Sequence, residues 1–223
     1  MTNTFTGLSQ FRVGASLPAF SQEEIAAETM LFSASPRFAY DNGGPITRAF
    51  LEAVNPDIDA IEGVLDTRVH MLMRGMWPCI PGWHLDDVPR TRPDGQPDLS
   101  NPDNAQHVLA LIGGEVSPTE FAVGTWSFPE VPVGSDRNVW DVYDEAVTNA
   151  LAECSLVSVY APSNRLVWFD SRAFHRGTSA NAPGWRWFGR LSNSRAAKAA
   201  GRKPRNQIRS QVQVYLQDPR LGW

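Results

Sequence analysis

A mainly β domain with flanking helices is the fold class this sequence predicts, and three observations carry it. From about Thr67 onward, short runs rich in β-branched, aromatic and aliphatic residues recur, with Gly and Pro between them. Helical periodicity is confined to the first 60 or so residues and to one later interruption. The chain has 223 residues, which suits a single sizeable core, and single β domains of this size are common. Together these predict a sandwich or closed β architecture.

The elements follow in order. Ser21-Gln-Glu-Glu24 reads as a capping box, and Ile25, Ala26, Met30 and Leu31 give the helix behind it an apolar stripe. A second helix runs from Pro45 through Phe50, Leu51 and Val54 until Pro56 stops it. Both helices are expected to buttress the outside of a sheet. Strands are then predicted over 68–73, 107–112, 120–128, 156–160 and 165–170, with a helix over 139–154 interrupting them. A last strand alternates over 208–216. The chain divides into a helical N-terminal part (1–62), a β core (63–193), and a basic loop with a terminal strand (194–223), all one domain. No internal repeat is visible.

Composition narrows the function classes. The hydrophobic fraction is 42% and the charged fraction 20%, ordinary for a globular protein. A net charge of −4 provides no global attraction to nucleic acid or to a membrane surface. Two cysteines are too few for a disulfide framework and suit a reducing compartment. The first residues show no basic segment leading into an apolar one, and no apolar run reaches membrane-spanning length, so a cytoplasmic protein is expected.

The chemistry concentrates in a few residues. His84 and Asp86 are two apart, so on extended backbone they point to the same side and can grip one ion. His175 follows 91 residues after His84, at the end of an apolar run and before a Gly-Thr-Ser turn. Two imidazoles and one carboxylate form the donor set of a facial triad, which suits Fe(II) and leaves coordination positions open. Beyond them, Arg186, Phe188, Arg190 and Ser192 share strand parity, and two inward arginines require an anion. His70 and His107, each within an apolar run, read as structural; His107 is the substitute should a ligand be misassigned.

His84-x-Asp86, the distal His175 and Arg190-x-Ser192 resemble the signature of the Fe(II)/2-oxoglutarate-dependent dioxygenases, over roughly residues 63–193. The resemblance implies a double-stranded β-helix, or jelly roll, as the core. It implies that His84, Asp86 and His175 are the catalytic metal ligands, and that Arg190, with Ser192, holds the distal carboxylate of 2-oxoglutarate. Arg186 matches a second arginine found in the taurine dioxygenase group, and would assist the other carboxylate or face the substrate. Fe(II), 2-oxoglutarate and O₂ are then the cofactor and co-substrates, with succinate and CO₂ as products and a substrate C–H bond hydroxylated or otherwise oxidised. Trp83, Trp126, Arg172 and Arg176 are expected near the cavity.

The primary substrate is expected to be a small polar molecule. Two alternatives stand beside it: an oxygenase acting on a nucleobase or nucleic acid, and a cupin-like metal-binding jelly roll without oxygenase activity. The nucleic-acid reading draws on the segment 195–209, which holds six basic residues and no acidic one. A proline-rich polar loop over 87–104, directly after the first two ligands, has the length of a functional loop and is expected to cover the substrate. A zinc hydrolase fits less well, since no glutamate base or thiolate cluster accompanies the donors.

Overall fold

A computed structural model describes residues 4–193 and 203–216. Its core is two antiparallel sheets. The five-stranded sheet has the order β2 (Phe11–Ser16), β9 (Arg165–Asp170), β6 (Gln106–Ile112), β11 (Gly184–Asn193), β4 (Val64–Leu72). In the four-stranded sheet, β7 (Thr119–Pro129) pairs with β1 (Thr4–Ser9), β8 (Val157–Tyr160) and β10 (His175–Gly177). Neighbours distant in sequence, β4 with β11 and β1 with β7, close the structure end to end, as in the jelly-roll core.

Side-chain parity sorts the layers. On β6, Leu109 and Leu111 meet Phe121 of β7 and Val167 and Phe169 of β9 between the sheets, where Phe121 and Phe169 lie edge to face at 5.2 Å. The alternate residues Val108, Ala110 and Ile112 face outward, yet are equally buried, because α1 (Gln22–Ala27), α2 (Pro36–Asn42) and α3 (Pro45–Val54) pack over them. Burial on both faces explains why β6 reads as a continuous apolar run rather than an alternating one. The other sheet is covered by α4 (Val139–Ala152), whose Tyr143 and Val147 pack with Trp126, Phe128 and Phe174.

Local chemistry sets the helices. Ser21 and Glu24 form the reciprocal capping box at α1. Ser35 caps α2, with Pro36 in its first turn. Helix α3 has no cap of its own; the buried carboxylate of Glu28 accepts from the backbone nitrogens of Gly44 (2.7 Å) and Ile46 (3.0 Å) and from the Thr47 hydroxyl (2.7 Å). On β11, Gly189 is required by packing: a Cβ there would sit 2.1 Å from the folded-over ring of Trp187.

Four elements differ from expectation. The first sixteen residues include β1 and β2, which complete the two sheets, so the N-terminal part is not purely helical. Met30 and Leu31 belong to β3 (Met30–Phe32), not to the first helix, which Glu28 ends. Helix α4 stops at Ala152, two residues early. The terminal strand is two short pieces, β12 (Gln207–Arg209) on β3 and β13 (Tyr215–Leu216) on β5 (Met76–Trp77), forming a strap across the β4 edge. Residues 194–202, part of the basic segment, lie outside the described residues. Among the described residues, no helix is long and apolar enough to cross a membrane.

Candidate metal centre

The segment after β5 brings His84 alongside β10 through an isolated antiparallel bridge, in which His84 and His175 exchange backbone N–H···O bonds of 3.1 Å each. Gly82, at φ +117°, turns the chain toward this bridge. Asp144 of α4 accepts the Trp83 N–H at 2.6 Å and pins the segment from the other side. Directly opposed across the bridge, the two imidazoles have ring centroids 4.7 Å apart, and Asp86, two residues from His84, points to the same place. Donor atoms of His84, Asp86 and His175 all lie within 4.8 Å of one another.

Tautomers are dictated by the backbone. His84 Nδ1 is 3.0 Å from the Gly82 carbonyl and His175 Nδ1 is 2.9 Å from the Ala173 carbonyl. A carbonyl only accepts, so each Nδ1 carries a proton, which leaves each Nε2 as the nitrogen free to face a metal. His175 Nε2 then lies 3.0 Å from Asp86 Oδ2, two electron-rich atoms that need a cation or a proton between them. The donor set and the carbonyl-anchored imidazoles fit a divalent metal of the Fe(II) type. Burial, and then the neighbouring His175, push the His84 imidazole toward its neutral form. Burial alone would raise the Asp86 carboxyl, but Arg190, followed by His175, outweighs it and holds the group well below the usual carboxylate range. Phe121 and Phe169 flank the His175 ring at 5.4 and 5.1 Å and keep it from turning.

The inward face of the five-stranded sheet supplies the cations. Register places Arg186 opposite His70, Phe188 opposite Arg68, and Arg190 opposite Asp66. Arg190 is ion-paired to Asp86 through Nη1. Ser192 shares the inward face with Arg190, and its hydroxyl bonds Nδ1 of His107 at 2.9 Å. Arg186 is buried at 2% exposure, its Nε has no partner, and its recorded hydrogen bond is a long one, from Nη2 to the Thr119 hydroxyl at 3.4 Å. Burial draws this guanidinium down to about 10. Among the described residues it is a buried cation without a carboxylate partner, the arrangement that an anionic ligand would satisfy.

His84 and Asp86 line an open cleft of about 2100 Å³, together with Trp83, Asp87 and Arg176. Arg176 stacks over the Trp83 ring at 4.4 Å and pairs with Glu120 at 2.7 Å. Trp126 instead belongs to the core under α4, and the Arg172 carbonyl accepts from its indole nitrogen. Of the 87–104 loop, Asp87, Val88, Pro89, Arg90 and Pro97 border the cleft. His70 and His107 are buried at 1% exposure and are not among the converging donors, and burial lowers both to about 3. Sequence reasoning missed Thr119, Asp144 and Arg68. Their roles depend on contacts across 61 to 67 residues of chain or on strand pairing, and no local pattern announces them.

No family model matches the chain, and no curated protein matches it. Among solved structures, it is similar to HygX from Streptomyces hygroscopicus. The apo form is 13% identical with a TM-score of 0.40, covering 82% of each chain. The iron-bound form is 10% identical with a TM-score of 0.38, covering 83% of this chain and 82% of that one. The form with nickel, 2-oxoglutarate and hygromycin B is 12% identical with a TM-score of 0.35, covering 82% of each chain. Identities and scores this low carry no argument about reaction or substrate.

Proposed function

We propose that this protein is an Fe(II)- and 2-oxoglutarate-dependent oxygenase acting on a small molecule. The observation that carries the reading is the converging triad, in which both histidines are held by backbone carbonyls, His175 Nε2 lies against the Asp86 carboxylate, and all three donors lie within 4.8 Å of one another. His84, Asp86 and His175 would hold the metal. When bound, iron and 2-oxoglutarate supply the oxidising chemistry with O₂: the 2-oxo acid ends as succinate and CO₂, and a substrate C–H bond is oxidised.

The chain's own residues orient and neutralise. Arg190 touches the ligand Asp86, which favours a role beside the metal, at the near carboxylate of the co-substrate. Arg186, deeper and with Thr119 beside it, suits the distal carboxylate. This assignment reverses the order expected from sequence, because Arg190 is engaged by Asp86 whereas Arg186 has no acid partner among the described residues. Unpaired buried guanidinium groups favour a carboxylate-using enzyme over a metal-binding jelly roll without oxygenase activity.

An anaerobic titration tests the reading. Fe(II) and 2-oxoglutarate added to the protein should generate the visible charge-transfer band of an iron–2-oxo acid complex, and the His175→Ala variant should not. Tight iron binding with no band and no succinate on aeration would leave a metal-binding protein of another kind.

A further inference from the structure

One wall of the cleft carries charge that the triad and its two arginines leave unused. Arg68 lies two residues from both Asp66 and His70 on β4 and shares their inward face. Its Nε is buried without a hydrogen-bond partner, and its recorded contact is with the Phe188 ring at 5.8 Å. Arg209 reaches the same wall from the strap, over the Phe32 ring at 4.3 Å and 3.6 Å from Asp66. Its Nε is also buried and unpartnered. Arg205 lies over the same ring at 5.5 Å. Asp66 also accepts the Ser33 N–H at 3.0 Å, and Glu62 borders the same cleft. Phe32, Asp66, Arg68, Arg205 and Arg209 all border the cleft that His84 and Asp86 open into.

We propose that Arg68 and Arg209, with Arg205 on their outer side, form a second anion subsite that receives an acidic group of the primary substrate: a carboxylate, sulfonate or phosphate. Calling that molecule the substrate rests on the oxygenase reading; the subsite itself rests on these residues. Planar guanidinium groups suit oxyanions through paired hydrogen bonds, and the Phe32 ring provides apolar surface beside them. Burial, and then Arg68, lower the Arg209 guanidinium, a strain that a bound anion relieves. The cleft of about 2100 Å³ also exceeds the roughly 300–1,000 Å³ of ordinary small-molecule sites, leaving room for a second molecule beside a five-carbon co-substrate.

The test uses inorganic sulfate as probe, titrated calorimetrically into the full chain with and without Fe(II) and 2-oxoglutarate under anaerobic conditions. Sulfate should bind in both states, and Arg68→Gln and Arg209→Gln should each weaken it roughly tenfold or more, the size of a lost charge-assisted hydrogen bond. Arg209→Lys should recover part of the affinity, and Arg186→Gln should weaken 2-oxoglutarate and remove only the sulfate that 2-oxoglutarate displaces, leaving the Arg68- and Arg209-dependent sulfate in place. Circular dichroism of each variant confirms that it is folded. Sulfate binding indifferent to Arg68 and Arg209, or displaced one for one by 2-oxoglutarate, overturns the subsite. If iron and 2-oxoglutarate fail to bind while sulfate still depends on both arginines, the subsite stands and the oxygenase reading falls. A short single-stranded oligonucleotide is the last arm: much tighter binding, falling with salt at a slope of about −0.7 for each of several phosphates, would overturn the small-molecule assignment.

Discussion

The five-stranded sheet sends Arg68, Arg186 and Arg190 inward from long strands paired to each other along their length, whereas His84 and Asp86 sit on a loop bridged to His175, the first residue of the three-residue β10 of the other sheet. The difference is one of support. On β4 and β11 a continuous ladder fixes each residue at two-residue intervals, so charges can be stacked with no local help. The triad depends on two backbone hydrogen bonds, two imidazole-to-carbonyl bonds and the Asp144 carboxylate. Cations are therefore placed by the fold as a whole, and the candidate metal ligands by a small set of local contacts.

The sharpest way to break this division is to remove a ligand. His84→Ala, Asp86→Ala and His175→Ala should each abolish succinate formation while the domain stays folded, because the ligands lie at a bridge beside the sheets. Elemental analysis reads iron content directly. Full iron occupancy in His175→Ala would reassign the ligand, with His107 the next candidate.

Arg186 and Arg190 test the other half. Arg186→Gln should weaken 2-oxoglutarate by roughly 10- to 100-fold, from lost charge-assisted bonds. Without ligand the same variant should be no less stable in urea, since an unpaired buried guanidinium opposes folding. Arg190→Lys keeps a charge beside Asp86 and should have the smaller effect on 2-oxoglutarate. A larger loss in Arg190→Lys would restore the order expected from sequence.

What the sequence made legible follows the same line. His84-x-Asp86 and the shared parity of Arg186, Phe188, Arg190 and Ser192 could be read because extended backbone repeats every two residues. The pairing of Arg190 with Asp86, on which the proposed choice between the two arginines turns, could not, since it spans 104 residues. The bond between the Ser192 hydroxyl and His107 was hidden too, since it depends on β6 standing opposite β11. In the same way β1 was hidden: Thr4–Ser9 is short, partly exposed and contains Gly7, and becomes a strand through its register with β7. Helix α2 was missed because its seven residues carry a cap and a proline but too few turns for a period.

Asp144 marks the local support of the triad. Asp144→Ala removes the acceptor for Trp83 N–H and should weaken iron binding roughly tenfold, as loss of an outer partner does in metal sites. Asp144→Asn keeps a carbonyl acceptor and should recover most of it. If both variants bind iron like the parent, the bridge to His175 suffices and the loop needs no second anchor.

The last expected effect is on the cation-bearing sheet and concerns pH. His70 faces Arg186 across the β4–β11 ladder and lies two residues from Arg68; burial, and then these two arginines, lower it to about 3. The folded protein therefore keeps His70 neutral, while the unfolded chain takes up a proton near the ordinary value of about 6.5. Between those values the unfolded state binds more protons, so stability from this group is complete above about pH 6.5 and is lost as pH falls toward 3, by about 1.4 kcal/mol per unit. Urea unfolding at pH 7, 6 and 5 covers the part of that window with least interference from carboxylates. The parent should lose stability over this range, and His70→Asn, which never charges, should show a flatter dependence whatever its absolute stability. An unchanged slope in the variant would mean that His70 is protonated in the folded state, and that the inward face holds an anion-attracting charge more than its three arginines supply.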